Sequence, residues 1–216
     1  MASRAISVLL LCNGLAPMAR LLRRLVREHD LFVCADGGAN AARAAGIAPD
    51  VIIGDLDSVS PVTLRAFASS LILRVPRQDN TDMEKALDFC VEQGFHRVTL
   101  AGIAGGRMDM TLGNMVTLWK YAGKMELALA GDGWVGFPVR GRARFAAPVG
   151  STVSIIPFST LRGVTLRGLR YPLRHATIKH GDVAVSNTVV SSPFSIRVDS
   201  GDMLVLILHE QARRIA

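Results

Sequence analysis

Acidic side chains at two places in the sequence have the types and the spacing of a metal site. Asp55 and Asp57 follow the apolar run 51–53 and are separated by one residue, and Asp82 lies further along the chain. Residues i and i+2 of an extended backbone point the same way, so the first two carboxylates should face one point just beyond the end of a strand. Like charges held this close repel each other unless a cation or a shared proton lies between them. The pattern predicts that these residues hold Mg2+.

The segment 78–85, Gln-Asp-Asn-Thr-Asp-Met-Glu-Lys, has the pattern of a helix start. Asn80 or Thr81 is expected as the N-cap, and a carboxylate such as that of Asp82 is favoured in the first turn. Thr81 and Lys85 are four residues apart and therefore lie on one side of the helix. Mg2+ prefers one or two protein carboxylates together with water and substrate phosphates, and a lysine beside it suits a polyphosphate. The two segments together predict a site for a metal-nucleotide complex.

Each acid also has a simpler interpretation. Asp55 is equally explained as a polar residue at the end of a strand, and Asp82 as an ordinary capping acid of a helix. Because both segments occur in one chain, a shared metal site is favoured over the interpretation in which Asp55 and Asp82 have separate structural roles.

The elements that must position these residues are strands and helices in alternation. The predicted strands are residues 5–12, 31–35, 51–53, 71–75, 97–101 and 126–130, and the predicted helices are residues 17–29, 39–45, 61–68, 81–93 and 109–121. This order predicts an α/β domain with a mainly parallel sheet flanked by helices. Four of the strands run into glycine or an acid, so these residues should meet at the carboxyl edge of the sheet, where such sheets bind ligands.

Two of these strand ends are rich in glycine. Asp36-Gly37-Gly38-Ala39-Asn40 follows the second strand, and Gly105-Gly106-Arg107-Met108-Asp109 follows the strand at 97–101. Glycines let the backbone approach a ligand closely, and the amides that open the next helix can receive phosphate. An arginine two residues from an acid can hold phosphate and orient a hydroxyl, although an ion pair within the turn is the simpler alternative. Neither GxxxxGK[ST] nor GxGxxG occurs, which excludes P-loop and standard dinucleotide-binding proteins by motif.

From residue 131 onwards the helical periodicity disappears, and short β-rich runs alternate with turns. The predicted strands are residues 133–137, 142–146, 152–156, 163–167, 175–178, 183–186, 194–198 and 203–208. This pattern predicts a C-terminal all-β sandwich domain. The sequence thus divides into an α/β domain over residues 1–132 and a sandwich over residues 138–216.

Charge is unevenly distributed along the chain. Residues 36–109 hold ten acids and seven Lys or Arg, net −3, and the other residues hold eight acids and eighteen Lys or Arg, net +10, which gives the total of +7. An acidic segment in a basic body suits a bound cation that draws in an anion. The high pI would also suit a nucleic-acid-binding module, but the basic residues form no dense run and are not interleaved with aromatics. We therefore expect no nucleic-acid partner.

Other features of the sequence indicate a cytoplasmic protein without a membrane partner. Cys12, Cys34 and Cys90 lie inside apolar runs without CxxC spacing, which predicts buried reduced thiols. No apolar run approaches the length needed to cross a membrane. The start of the chain, with its apolar run and Ala16-Pro17-Met18-Ala19, has some features of a signal peptide, but it is better interpreted as a strand, a turn and a helix.

Taken together, these motifs resemble the thiamine pyrophosphokinase family. The matching segments are Ala35-Asp36-Gly37-Gly38-Ala39-Asn40, Gly54-Asp55-Leu56-Asp57-Ser58, Gln78-Asp79-Asn80-Thr81-Asp82-Met83-Glu84-Lys85, Gly105-Gly106-Arg107-Met108-Asp109, Gly168-Leu169-Arg170-Tyr171-Pro172-Leu173 and Val185-Ser186-Asn187. They occur in family order and cover nearly the whole chain, so the resemblance is more specific than any single motif. Met108 stands where an aromatic is usual and Met110 where His or Gln is frequent, but neither departure removes a charged group.

The resemblance implies transfer of the diphosphoryl group of ATP to the hydroxyl of thiamine, with thiamine diphosphate and AMP as products. It implies an α/β catalytic domain that binds ATP and Mg2+, a sandwich domain that binds thiamine, and a homodimer with active sites between the subunits. The implied metal ligands are Asp55, Asp57 and Asp82, and the implied catalytic residues are these three with Lys85, Arg107 and Asp109. The residues implied to bind ATP and its diphosphoryl group are Asp36, Gly37, Gly38, Asn40, Gln78, Thr81, Gly105 and Gly106.

The resemblance also implies a thiamine site in the sandwich. Tyr171 falls where family members carry an aromatic beside the thiamine ring, Ser186 would hydrogen-bond the aminopyrimidine, and Asn187 lies next to it. From the sequence alone, Tyr171 is equally well explained as a sandwich residue anchored by its hydroxyl. If it does bind thiamine, the sequence leaves open whether it meets Asp109 of its own subunit or Asp109 of the other subunit. The acceptor of the thiamine hydroxyl proton is Asp109 or Asp82.

One further enzyme class would use the same paired acids. A metal-dependent phosphohydrolase acting on a nucleotide also needs an Asp-x-Asp pair, but it gives no reason for the segment 81–85 or for the attached sandwich. The diphosphotransferase explains both, since it must bind a polyphosphate and a second substrate.

Overall fold

A computed structural model describes residues 5–209 and 211–215 of the 216-residue chain. The chain divides into two compact units, Met1–Leu127 and Ala128–Ala216. The sequence placed this boundary a few residues later, between 132 and 138. The difference arises because the strand β6 (Glu126–Gly131) spans the point of division.

The first unit alternates strands and helices as the sequence predicts. In chain order they are β1 (Ser7–Leu11), α1 (Ala19–Glu28), β2 (Leu31–Ala35), α2 (Gly38–Ala44), β3 (Val51–Gly54), α3 (Pro61–Ala66), β4 (Leu71–Arg74), α4 (Asp82–Glu92), β5 (Arg97–Ala101) and α5 (Met108–Tyr121). Each predicted element is present with its ends shifted by a few residues at most. The apolar run near the start is β1, which pairs with both β2 and β5.

The strands of this unit form a parallel sheet in the order β5-β1-β2-β3-β4. Val8, Leu9, Leu10 and Leu11 of β1 are all completely buried, as expected for a parallel strand covered on both faces. Strand β4 at the edge differs, because its apolar side chains are largely exposed. Since all five strands run in one direction, the segments that follow them lie along one edge of the sheet.

Helix α2 approaches the end of β1 unusually closely. A Cβ atom added at Gly38 would lie 2.3 Å from the carbonyl oxygen of Leu11, so only glycine permits this contact. The sequence therefore needs its Gly-Gly pair for packing, in addition to any role towards a ligand.

The second unit consists of antiparallel strands. They continue from β6 as β7 (Trp134–Val139), β8 (Arg142–Ala146), β9 (Thr152–Pro157), β10 (Leu161–Arg167), β11 (Leu173–Ile178), β12 (Ala184–Thr188), β13 (Phe194–Arg197), β14 (Met203–Leu208) and β15 (Arg213–Ile215). Two sheets, ordered β12-β9-β14-β7-β6 and β11-β10-β13-β8-β15, form the predicted sandwich. Strand β15 was not predicted, because three residues are too few for an alternating pattern.

The core of the second unit is apolar and partly aromatic. The rings of Phe137, Phe145 and Phe194 pack in series, with centroids 5.2 and 5.3 Å apart. Valine, leucine and isoleucine side chains from both sheets surround them.

Two expectations about the whole chain can be compared with the structure. Cys12, Cys34 and Cys90 are buried free thiols, as predicted. Within residues 5–209 and 211–215, the helices are all too short or too polar to span a membrane.

Candidate functional site

A cavity of about 500 Å3 lies at the carboxyl edge of the first unit's sheet. This volume is in the usual range for small-molecule sites. Five of the residues implied by the sequence line it, namely Thr81, Asp82, Gly105, Gly106 and Arg107. The edge of the sheet is therefore concave where the sequence places the ligand.

Three carboxylates gather beside this cavity. One oxygen from each of Asp36, Asp55 and Asp57 lies within 4.8 Å of the others. Asp82 joins them through Lys85, whose Nζ donates to Asp82 Oδ1 at 2.8 Å and to Asp55 Oδ2 at 3.1 Å. We call these five residues the carboxylate site. Its ligand atoms are all carboxylate oxygens, which suits a hard cation such as Mg2+.

The backbone that presents Asp55 and Asp57 is not extended, so the expected geometry was wrong. Strand β3 ends at Gly54, and Leu56 has a φ of +68°, in the left-handed region that costs a non-glycine residue about 1–2 kcal/mol. Asp57 N donates to Asp55 Oδ1 at 3.2 Å within the resulting turn. The two carboxylates converge because the chain turns, not because the side chains of a strand alternate.

Lys85 is a buried cation, with only 4% of its surface exposed. Burial alone would lower its pKa, but the hydrogen bonds and charges of Asp82 and Asp55 raise the pKa above its usual value. Burial acts to raise the pKa of Asp55, yet the bonds from Lys85 and from Asp57 N hold it below the usual value. Lys85 and Asp55 are therefore both charged near neutral pH.

Asp36 is completely buried at the end of β2. Its Oδ1 accepts a hydrogen bond from Val59 N at 2.9 Å, and its Oδ2 accepts one from Ser58 N at 3.2 Å. Burial raises the pKa of this carboxyl to about 6, and the two backbone bonds oppose the rise. A Cβ at Gly54 would lie 2.7 Å from the Asp36 Cβ, so β3 requires glycine here. Asp36 therefore differs from its neighbours in facing protein on all sides.

The start of α4 has a complete capping box, which identifies Thr81 as the N-cap. Thr81 Oγ1 accepts from Glu84 N at 3.3 Å, and Glu84 Oε2 accepts from Thr81 N at 3.0 Å. Gln78, just before the helix, donates from Nε2 to Asp55 Oδ2 at 3.3 Å. The reciprocal bonds fix the first turn, which carries both Asp82 and Lys85.

Asn40 has partners within the protein for both ends of its amide. Its Nδ2 donates to Ser58 O at 2.9 Å, and its Oδ1 accepts from Ser60 N at 3.0 Å and from Thr63 Oγ1 at 2.8 Å. In this arrangement Asn40 ties α2 to the segment after the carboxylates. Gly37 and Gly38 are likewise buried against the rest of the unit.

Residues 102–109, which we call the glycine turn, form another wall of the cavity. Gly105 N donates to Thr111 Oγ1 at 3.1 Å, which closes the turn onto α5. Arg107 Nε donates to Asp109 Oδ1 at 3.1 Å, and the side chains are 75% and 64% exposed. The guanidinium holds the pKa of Asp109 below its usual value. The ion pair within the turn, weighed as the simpler alternative, is thus present.

Several cavity residues were not identified from the sequence. They are Cys12, Asn13, Leu15, Ser58, Ile103, Met110 and Asn114. Asn114 is buried on α5 and donates from Nδ2 to Ile103 O at 2.9 Å. Two signals were available: β1 runs into Asn13-Gly14 at the same edge, and Asn114 is polar at a position on the buried face of its helix.

In the second unit, Tyr171 and Asn187 lie together. Tyr171 N donates to Asn187 Oδ1 at 3.0 Å, and Asn187 Nδ2 donates to Tyr171 O at 2.9 Å. The Tyr171 side chain is 64% exposed, and its hydroxyl makes no hydrogen bond to the described part of the chain. Ser186, also exposed, has a φ of +62°. The interpretation of Tyr171 as a sandwich residue anchored by its hydroxyl does not fit this arrangement.

Comparison with protein families gives two matches along the chain. The model described as "Thiamin pyrophosphokinase, catalytic domain" matches residues 22–129. The model described as "Thiamin pyrophosphokinase, vitamin B1 binding domain" matches residues 144–203. The first match lies almost wholly in the α/β unit and the second in the sandwich.

Individual relatives give the same result. Thiamine pyrophosphokinase of Bacillus subtilis (strain 168) is 29% identical over 187 residues, which cover 83% of this chain and 87% of the relative. Thiamine pyrophosphokinase 1 of Oryza sativa subsp. japonica is 26% identical over 234 residues, covering 94% and 87%. The crystal structure of the Bacillus subtilis enzyme superimposes with a TM-score of 0.84 at 25% identity, covering 94% of this chain and 99% of that one.

Proposed function

The chain belongs to the thiamine pyrophosphokinase family, and on this premise we propose that it transfers the diphosphoryl group of ATP to the hydroxyl of thiamine. The products are thiamine diphosphate and AMP. The observation that carries the proposal is the carboxylate site, which places acids from three segments and one buried lysine beside a cavity of ligand size.

Asp55, Asp57 and Asp82 would hold Mg2+ in this site. Oxygens of Asp55 and Asp57 lie within 4.8 Å of each other, and Asp82 is linked to Asp55 through the Lys85 ammonium. Carboxylate oxygens suit Mg2+, and like charges this close are stabilised by a cation. When bound, the ion neutralises negative charge on the transferring diphosphoryl group. Lys85 adds a positive charge that is fixed before the substrate arrives, so it need not reorganise during the reaction.

Arg107 is placed to bind phosphate oxygens. It is exposed at the wall of the cavity, and its guanidinium forms an ion pair with its near neighbour Asp109. Exposed pairs of this kind are weak, so a phosphate can replace the carboxylate as the partner of the guanidinium. Thr81, Gly105 and Gly106 line the same cavity and complete the proposed diphosphoryl site.

Asp109 is our proposed acceptor of the thiamine hydroxyl proton. Asp82 Oδ1 already accepts a hydrogen bond from the Lys85 ammonium, and Asp82 is also a proposed metal ligand, so its oxygens have other partners. Asp109 loses its cationic partner when Arg107 turns to phosphate, so its pKa then rises towards the usual value. The hydroxyl oxygen attacks the β-phosphorus, AMP leaves, and the proton goes to Asp109.

Tyr171 is the proposed stacking residue for thiamine. Its ring is exposed, and its backbone is held on both sides by Asn187, so the aromatic face is presented with little conformational freedom. A cationic thiazolium suits such a π-face. Tyr171→Ala should raise the KM for thiamine more than the KM for ATP, and an equal rise in both would contradict stacking.

The proposal includes a homodimer in the cytoplasm, with no nucleic-acid or membrane partner. Met108, Leu112 and Val116 are spaced four residues apart on α5 and are all largely exposed, which is typical of a surface covered by a partner. Sedimentation of the purified protein tests the dimer directly. The three buried free thiols suit a reducing compartment.

The deciding experiment is incubation of the protein with ATP, Mg2+ and thiamine. Thiamine diphosphate and AMP should form together in equal amounts, and neither should form without thiamine. Release of phosphate from ATP without thiamine would instead support the phosphohydrolase. Absence of both products from folded protein would contradict the proposal.

A further inference from the structure

The carboxylate of Asp36 is joined to the segment that carries the proposed metal ligands. Both of its oxygens accept backbone hydrogen bonds, from Val59 N at 2.9 Å and from Ser58 N at 3.2 Å. These donors directly follow Asp57, and Val59 is itself buried. We call residues 55–59 the carboxylate loop. Asp36 therefore connects the end of β2 to the loop that follows β3.

The carboxylate loop needs such a connection. Leu56 has a positive φ, which is unfavourable for a residue with a side chain, and Asp55 and Asp57 repel each other at the separation seen here. Two hydrogen bonds from successive amides to one charged acceptor offset the cost of the turn at Leu56, because charge-assisted bonds are stronger than neutral ones. The Asp36 charge itself adds to the repulsion among the acids, which a bound cation would relieve.

Position 36 is shaped for an aspartate. Its backbone N donates to Ile53 O at 2.9 Å, which fixes the residue against the end of β3. Gly54 packs directly against the side chain, since a Cβ added there would lie 2.7 Å from the Asp36 Cβ and 3.3 Å from its Cγ. An asparagine there has one acceptor oxygen, so its NH2 group would face one of the two backbone donors.

We propose that Asp36 is a positioning residue, which holds the carboxylate loop in the conformation that binds the metal and does not itself contact the nucleotide. The complete burial of the carboxylate supports this role, since a phosphate of ATP cannot reach it in this conformation. The inference rests on the proposed function only in that substitution of Asp36 is expected to lower turnover. Its effects on the loop and on metal affinity are independent of the reaction.

The test compares Asp36→Asn with the control Asp50→Asn. Asp50 Oδ2 accepts from Phe32 N at 2.8 Å, so it makes the same kind of bond at the opposite end of β2, away from the cavity. Hydrogen exchange of the individual amides is measured on the metal-free protein by NMR, and the Mg2+ dissociation constant by calorimetry. Asp36→Asn should speed exchange at Ser58 and Val59 and weaken Mg2+ binding by about 10- to 100-fold. Asp50→Asn should speed exchange at Phe32 and leave Mg2+ affinity unchanged.

Two results would overturn the inference. Unchanged Mg2+ affinity in Asp36→Asn would show that the loop does not depend on this carboxylate. Weaker Mg2+ binding with unchanged exchange at Ser58 and Val59 would make Asp36 a direct ligand instead.

A measurement on the wild-type protein keeps the inference testable if Asp36→Asn does not fold. The amides of Ser58 and Val59 should be protected without metal, and exchange at the rate of an unfolded chain would contradict the role. Failure of the proposed function is a separate observation, since it would appear as absence of thiamine diphosphate with the wild-type protein.

Discussion

The carboxylate site and the glycine turn lie at the same edge of one sheet but are built in different ways. In the carboxylate site, Lys85 and Asp36 are buried, and Asp36, Asp55 and Lys85 each hydrogen-bond to a segment distant in the sequence. In the glycine turn, Arg107 and Asp109 are exposed and bond to each other across two residues. The first region is assembled before any ligand binds, and the second is free to exchange its partners. The proposed metal site is therefore rigid before a ligand binds, and the arginine proposed to bind phosphate is adaptable.

The strongest test of the comparison is Asp57→Asn. This change removes a proposed metal ligand from an exposed position, so turnover should fall by on the order of 10³-fold while the free energy of unfolding changes by no more than about 0.5 kcal/mol. Thiamine diphosphate formation and urea denaturation measure the two effects. Near-normal turnover in a folded variant would contradict the proposal that the carboxylate site binds the metal.

Lys85→Met tests whether the carboxylate site is assembled without ligand. The change leaves Asp55 and Asp82 without their shared cation, and loss of one partner of a buried pair costs about 3 kcal/mol of unfolding free energy. The control is Lys120→Met, which breaks the pair with Glu84 on the neighbouring helix. The Lys120 side chain is 51% exposed, compared with 2% for that of Lys85, so its loss should have a much smaller effect. Equal losses in the two variants, measured by urea denaturation without metal, would mean that burial of Lys85 has no special consequence.

Arg107→Gln tests the opposite expectation for the glycine turn. The free energy of unfolding should hardly change, because the ion pair with Asp109 is exposed. Turnover should fall by about 10- to 100-fold, because a charge that binds phosphate is lost. If the variant is clearly destabilised, the glycine turn is as rigid as the carboxylate site and the contrast between them disappears.

The smallest expected effect concerns the pH dependence of stability. Burial acts to raise the pKa of Glu84, but the bonds from Thr81 N and Lys120 outweigh it and leave the pKa below the usual 4.5. The stability from this group is therefore present above pH 4.5 and lost as the pH falls through the lowered pKa. Glu84→Gln retains a capping side chain but cannot titrate, so its unfolding free energy should decline less steeply in acid.

The control for this measurement is Glu92→Gln, at the exposed end of the same helix. Comparison of the two variants separates the capping box from the general effect of removing a carboxylate from this helix. If the free energy of unfolding declines equally steeply in acid for Glu84→Gln and for the wild-type protein, the Glu84 carboxylate of the capping box does not contribute to the pH dependence of stability.

Much of the fold was predictable because its signals are local. Alternating apolar and glycine-rich segments gave the strands and helices of the first unit and eight strands of the second. The sequence also located the acids and glycines at one sheet edge, since parallel strands bring their carboxyl ends together. It missed β15, because three residues are too few to show an alternating pattern. It also missed the role of Asn114, because a single polar residue on an apolar helix face does not show what it contacts.

The partners of the site residues were less predictable. Asn40 was expected to bind ATP, and in the structure its amide bonds to Ser58, Ser60 and Thr63. The sequence could not reveal this network, because its members come from segments that meet only when α2 packs beside the carboxylate loop.

By itself, therefore, the sequence determined which residue types stand at the ends of which strands, because periodicity, glycine and charge act within a few residues. The tertiary structure alone decided how those residues are used. It turned the chain at Leu56, buried Lys85 between two acids and enclosed Asp36 against the loop. These outcomes depend on burial and on hydrogen bonds between distant segments, and both of these arise only when the segments pack together.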